Sequence, residues 1–170
     1  MNKTKRIVIS ALLTALSLAL FSLELIIPPF PFCPGAKIGL ANIVTLYMLT
    51  NENFFKKMDV FCVLTARCIL AAVITGRLTS VFFSFFGGLS AFAAMLVIRR
   101  ILGEKYAICI SVTGAVFHNF TQIIVSILIY GTYSAFYLLP SLFVAGVACG
   151  ILTGLCVEFI NKLNVHNKFL

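Results

Sequence analysis

Acidic side chains are scarce in this sequence. Five Asp and Glu residues stand against 13 Lys and Arg residues, and tryptophan is absent. Charged residues make up 11% of the chain and hydrophobic residues 61%. A soluble domain of this size needs far more charge to cover its surface. The composition therefore predicts an integral membrane protein, and we expect a single domain over residues 1–170 because no polar linker divides the chain.

The residue types that support catalysis or metal binding are also missing. Asp59 is the single aspartate, whereas magnesium-dependent diphosphate chemistry needs clustered carboxylates such as a DDxxD run. No P-loop motif occurs, and no carboxylate lies near His118 in the sequence to complete a catalytic triad. The six cysteines form no CxxC pair and lie almost entirely in apolar runs. We expect no catalytic residues, no cofactor and no metal site.

Apolar runs of roughly 20 residues recur along the chain, and this is the length that crosses a hydrocarbon core of about 30 Å. They predict an all-α bundle of six transmembrane helices near 7–27, 37–50, 59–75, 79–99, 107–130 and 137–161. The second helix is short and follows a turn with four prolines, so we expect it to be tilted, re-entrant or buried. The first run enters that turn without a small-residue cleavage site, which favours a retained helix over a signal peptide.

Basic residues are distributed unevenly between the ends of these helices. With a cytoplasmic start, ten of the 13 fall at inner ends, Lys37 and Arg77 fall at outer ends, and Arg67 lies within a helix. The positive-inside rule therefore predicts that both termini are cytoplasmic, in a multi-pass protein of the cell membrane. Basic residues that line the anionic leaflet also account for the net charge of +8 without a nucleic-acid partner.

Two strips of small residues recur at four-residue spacing, one on the first helix and one on the last. Such strips let helix backbones approach closely in lipid. Spacing alone favours packing within this chain for both strips, with contact to a partner protein as the alternative for the first. The strips consist of Ala11, Ala15 and Ala19, and of Gly146, Gly150 and Gly154.

Arg67 lies about eight residues from each end of its predicted helix. A central arginine costs at least about 2.5 to 3.5 kcal/mol on insertion scales, so it should face the protein interior or a water-filled cavity and have a partner. Glu24 is the one acidic residue predicted near an outer end, although its depth is closer to that of Lys37 and Arg77. The outer half of the bundle therefore carries an excess of cations.

Three polar side chains interrupt the apolar fifth helix. His118 and Gln122 are one turn apart, and Asn119 lies beside them, at mid-membrane depth. A purely structural hydrogen-bond network is the alternative reading, and Lys37 alone would be read as a snorkelling side chain. Together with the cations they predict an outward-opening cavity for an anionic head group. The candidate ligand-binding residues are Lys37, Asn42, Arg67, Arg77, His118, Asn119 and Gln122.

Four segments of the chain form a recognisable set: "PGAKIGLANIVTLY", "RCILAAVITGRLTS", "FFSFFGGLSAFAAM" and "GAVFHNFTQ". Together they resemble the Gx transporter family, also called heptaprenyl diphosphate synthase component I. Members of this family are similar to the substrate-binding S components of energy-coupling factor (ECF) transporters, and the resemblance runs from about residue 7 to 155. Thr121 stands where the family pattern, similar to HNxGQ, has glycine. A bulkier residue there is expected to narrow the pocket or to alter a helix contact.

The resemblance implies an S component that binds a small anionic or amphipathic metabolite and topples in the membrane to carry it inward. It also implies that Ala11 and Ala15, in a strip extended by Ala19, dock on a transmembrane T component, and that two cytoplasmic ATPases supply energy. The alternative is a non-catalytic membrane subunit associated with polyprenyl diphosphate synthesis or quinone-related redox metabolism. A facilitator acting alone is a third reading.

Overall fold

The residues that the structure describes are helical, apart from short turns. The structure is a computed structural model that describes residues 3–26, 39–51, 54–76 and 78–166. The described helices are α1 (Lys3–Ile26), α2 (Asn42–Thr50), α3 (Lys57–Thr75), α4 (Leu78–Leu102), α5 (Ala107–Tyr130), a 3-10 helix (Tyr133–Leu138) and α6 (Leu139–His166). The prediction of an all-helical membrane protein is confirmed.

Five of the described helices are long and apolar enough to cross a membrane, and α2 is the exception. Its nine residues cover about 14 Å at 1.5 Å per residue, which is roughly half of the hydrocarbon core. Most of its side chains are buried, including Val44, Leu46, Met48 and Leu49. The expected burial of the second helix is confirmed. Among the described residues, five helices rather than six are long and apolar enough to span a membrane.

α2 begins at Asn42 rather than at residue 37. Gly39 has a φ of +76°, a left-handed conformation that does not continue a helix, and its carbonyl accepts the Asn42 N–H at 2.8 Å. The predicted start was wrong because the residues around this turn are apolar, so hydropathy does not distinguish the turn from helix. Lys37 lies outside the described residues.

α5 and α6 pack backbone against backbone along the glycine strip of α6. A Cβ atom at Gly150 would lie 2.6 Å from the Cα of Val112, and one at Gly154 would lie 2.6 Å from the Cα of Ile108. Neither position can carry a side chain unless the helices separate. The predicted packing of this strip within the chain is confirmed.

α1 lies at the periphery of the bundle, where it contacts α3 and α2. Its one buried residue is Ser17, whose hydroxyl donates to the carbonyl of Ala41 at 3.2 Å. Near its start, Arg6 forms a two-contact ion pair with Asp59 of α3, with Nε to Oδ2 at 3.0 Å and Nη2 to Oδ1 at 3.2 Å. The helix is therefore attached by a few polar contacts and a narrow apolar face.

The alanine strip of α1 faces away from the bundle. Ala11, Ala15 and Ala19 are all exposed. Packing within the described part of the chain, which spacing alone favours, is therefore wrong for this strip. Two strips with the same spacing have opposite environments.

Gly150→Val tests the close approach of α5 and α6. The added side chain would overlap the Val112 backbone, so the free energy of unfolding should fall by about 1–3 kcal/mol. Ala148→Val is the control, because Ala148 is exposed on the same helix. Denaturant titration of both variants in detergent micelles provides the measurement. Equal stability of the two variants would contradict the packing described here.

Candidate functional site

Arg67 is a buried cation within the membrane-spanning part of α3. The residue is 6% exposed, and its Nη1 donates to Oδ1 of Asn42 at 3.3 Å. Asn42 is the first residue of α2, so the Gly39 turn places this amide beside the guanidinium. No carboxylate of the described residues lies within ion-pair distance of Arg67. Its hydrogen-bond partner is neutral, and within the described ranges no ion pair is formed by the guanidinium.

Glu24 lies on the same small cavity as Arg67 but does not pair with it. Its Oε1 accepts the backbone N–H of Gly39 at 2.7 Å. The cavity has a volume of about 40 Å³, and both charged side chains line it. The predicted alternatives, a pair between Glu24 and Lys37 or Arg77, involve residues outside the described ranges. They stay predictions.

His118 enters this region from α5 and lies against the backbone of α4. A Cβ atom at Gly87 would be 2.9 Å from His118 Cε1 and 3.0 Å from Nδ1. On the other side, His118 Nε2 lies 3.0 Å from Nε2 of Gln122, within hydrogen-bond distance. The imidazole is thus held between a glycine and an amide. Sequence reasoning missed Gly87, for which the signal is a Gly-Gly pair within a bulky apolar run.

A second polar cavity, of about 20 Å³, lies on the α5–α6 side of His118. Gly39, Asn42 and His118 line both cavities, so α2 and α5 separate two parts of one polar interior. Ser111 and Thr153 line the second cavity and their hydroxyl oxygens lie 2.7 Å apart. No group of three His, Cys, Asp or Glu side chains suited to a metal ion occurs among the described residues.

Asn119 and Gln122 have mainly supporting positions. Asn119 is buried, lines the second cavity, and uses its Nδ2 to donate to the carbonyl of Leu142 on α6 at 2.8 Å. Gln122 lines neither cavity and contacts His118 instead. The structure brings Asn42, Arg67 and His118 together around one small cavity, and their role in ligand binding stays a prediction. Lys37 and Arg77 lie outside the described residues.

The amino-acid sequence matches one protein-family model over most of its length. The model of the family described as heptaprenyl diphosphate synthase component I matches residues 13–160. The chain belongs to this family. The expected family membership is confirmed, and the matched segment includes Asn42, Arg67 and His118. Comparisons with curated proteins and with solved structures found no significant match.

Thr121 is the departure from the expected pattern in this family member, and it forms a helix contact. Its hydroxyl donates to the Ser90 hydroxyl of α4 at 2.7 Å, and Ser90 donates to the Phe117 carbonyl of α5 at 3.2 Å. Thr121 lines neither polar cavity. Thr121 therefore contributes to the contact between α4 and α5, and the two expected consequences of a bulkier residue here stay predictions.

Gly87→Ala tests how the imidazole is positioned. The new methyl group would push the ring of His118, so we expect the free energy of unfolding to fall by about 1–2 kcal/mol. Gly88→Ala is the matched control, since a Cβ there meets Leu64 Cδ2 at an ordinary 3.4 Å. Thermal unfolding in detergent measures both variants.

A double-mutant cycle with His118→Ala separates this contact from a general helix effect. Removing the imidazole should make Gly87→Ala nearly neutral. If Gly87→Ala costs the same with and without the ring, the described contact between Gly87 and His118 is not the cause.

Proposed function

We propose that this protein is the substrate-binding S component of an ECF-type uptake transporter, with a small anionic or amphipathic metabolite as its ligand. The observation that supports this most is the buried guanidinium of Arg67, whose described partner is the neutral side chain of Asn42. A charge at this depth is costly and commonly marks a substrate pathway. Guanidinium groups suit carboxylate and phosphate because two parallel N–H donors match two acceptor oxygens.

Each neighbouring residue then has a distinct role. Arg67 neutralises the anion, Asn42 orients it, and His118 forms the floor of the site. Asn119 and Gln122 support this floor, through the bond from α5 to α6 and through contact with the imidazole. Lys37 and Arg77 lie outside the described residues, and their role as a cationic outer rim stays a prediction.

Ligand entry requires movement in this mechanism. Cavities of about 40 and 20 Å³ have room for little more than ordered water. α1 lies at the edge of the bundle against α3 and α2, and its Glu24 bonds to the turn at Gly39 that precedes α2. We infer that this turn and the adjacent end of α1 move away from α3 when the anion reaches Arg67.

The exposed alanine strip supports a partner in the membrane. Ala11, Ala15 and Ala19 would let a helix of a T component approach the α1 backbone closely. The chain has no P-loop, so two cytoplasmic ATPases would drive uptake, and the S component itself would not be an enzyme. The basic helix ends would face the cytoplasm in the cell membrane.

The family description favours a second candidate function. A non-catalytic membrane subunit associated with polyprenyl diphosphate synthesis, or with quinone-related redox metabolism, would use the same guanidinium for a diphosphate or quinone. Its exposed alanine strip would then meet a different partner. The identity of co-purifying proteins distinguishes the two proposals.

Arg67→Gln tests the anion site. We expect an anionic metabolite to co-purify with the wild-type protein from native membranes and to fall by about tenfold or more in the variant, because a charge-assisted contact is lost. Mass spectrometry of the released small molecules measures this. Arg100→Gln, an exposed arginine at the end of α4, is the control.

Stability measured on the same samples distinguishes a structural role. Arg67→Gln should leave the unfolding free energy nearly unchanged if the arginine serves a ligand. Breaking a buried structural pair typically costs about 3–5 kcal/mol. A loss of that size, with the bound metabolite retained, would refute the proposed site.

Ala11→Leu combined with Ala15→Leu tests the partner surface. The larger side chains should keep a partner helix away from α1, so a T component and ATPases recovered with the tagged wild type in mild detergent should be lost. Ala148→Leu, which enlarges another exposed small residue, should retain them. Recovery of a soluble prenyl synthase instead, unaffected by the double substitution, would favour the second candidate.

A further inference from the structure

A larger cavity, separate from the ligand site, opens between α1 and α6. It lies at the end of the bundle where α1, α3 and α5 begin. The helices α2, α4 and α6 end there. We call this end of the bundle the basic end. Its volume is about 830 Å³. We call it the lateral cleft. Residues from α1, α2, α6 and the connections around them line it: Ile9, Leu13, Tyr47, Thr50, Asn51, Phe54, Phe55, Glu104, Lys105, Ala107, Glu158, Asn161 and Lys162.

The cleft exists because α1 and α6 do not pack closely against each other within the described residues. α1 packs on α3 and α2, whereas α6 packs on α5, α2 and the short 3-10 helix. The short α2 ends at Thr50 and forms the back of the gap at this level. The opening therefore faces sideways, toward the place that lipid occupies around a membrane bundle.

The inner surface of the cleft combines apolar walls with a polar back that is already hydrogen-bonded. Ile9 and Leu13 of α1 form one wall. At the back, Asn51 Nδ2 donates to Asn161 Oδ1 at 2.9 Å, and Asn161 Nδ2 donates to the Thr50 hydroxyl at 3.1 Å. Because these amides bond to one another, a hydrocarbon chain can lie beside them without displacing their partners.

The charges at the mouth favour an anion. Glu104 is paired with Arg99 at 2.5 Å, and Glu158 is paired with Lys162 at 3.1 Å. Lys105 forms no ion pair with any of the described residues. Other exposed basic side chains occupy the same end of the bundle, namely Lys3, Lys5, Lys56, Lys57 and Arg100. Basic side chains therefore outnumber acidic ones among the described residues at this end, which favours an anionic ligand.

We propose that the lateral cleft binds one anionic phospholipid from the leaflet at the basic end. The phosphate lies at Lys105, with Lys162 close by, and one acyl chain passes between α1 and α6. Leu13 is ten residues from the start of α1, about 15 Å along the helix, which is a depth for hydrocarbon rather than for a head group. This site uses none of the residues of the proposed anion site around Arg67.

Native mass spectrometry of the full-length, delipidated protein tests the proposal, with phosphatidylglycerol as the probe and phosphatidylcholine for comparison. We expect one phosphatidylglycerol to bind with about tenfold preference, and Lys105→Gln with Lys162→Gln to remove that preference. Lys56→Gln with Lys57→Gln is the matched control, because both lysines are exposed at the same end but do not line the cleft. Equal losses in the two double variants would overturn the proposal, since they would indicate general attraction to the basic end.

A second pair of variants tests the position of the acyl chain. Leu13→Trp should fill the cleft and abolish the bound lipid, whereas Leu12→Trp should not, because Leu12 is 65% exposed and does not line the cleft. Binding that is equal in both variants would refute the site.

Inorganic phosphate should fail to displace the lipid. Displacement by inorganic phosphate, or by farnesyl diphosphate at lower concentration than the lipid, would also overturn the assignment to a phospholipid.

Discussion

A buried guanidinium has to be accommodated in the middle of this bundle, and the surrounding polar structure follows from that constraint. Arg67 of α3 donates to Asn42, which lies at the first position of α2. Asn42 occupies that position because Gly39 turns the chain, and the N–H of Gly39 is held by Glu24 of α1. One continuous series of polar contacts therefore joins three helices at the depth where lipid offers no hydrogen bonds.

The other half of the bundle brings His118 to the same place by close packing. α4 supplies Gly87, whose missing side chain leaves room for the imidazole, and α6 supplies Gly146, next to Asn119. α5 lies between these two helices, so its polar residues can reach the interior only where its neighbours are small. Glycine at these positions thus determines the geometry of the site although it contributes no polar side chain.

Hydropathy predicted the five long helices and their approximate bounds because each of these apolar runs is close to the length that a bilayer requires. The short α2 does not follow this rule, and its start and its span were not predicted correctly. The cost of burying charge likewise predicted that Arg67 faces the interior, beside amides. Spacing could not distinguish the alanine strip from the glycine strip, since both permit close approach and only the arrangement of all helices decides which strip is covered. The supporting positions of Gln122 and Asn119 were equally beyond sequence reasoning, because a hydrogen-bond partner depends on side-chain direction.

The deep burial of α2 has a consequence for how the protein is made. α1 is long and apolar enough to enter the bilayer as soon as it emerges, but the nine residues of α2 are too short to cross it alone. The bond from Asn51 to Asn161 joins residues 110 positions apart, and α2 also packs on α6. The second helix of the chain therefore reaches its final environment only after the last helix has been synthesised, so the order of assembly differs from the order of the sequence.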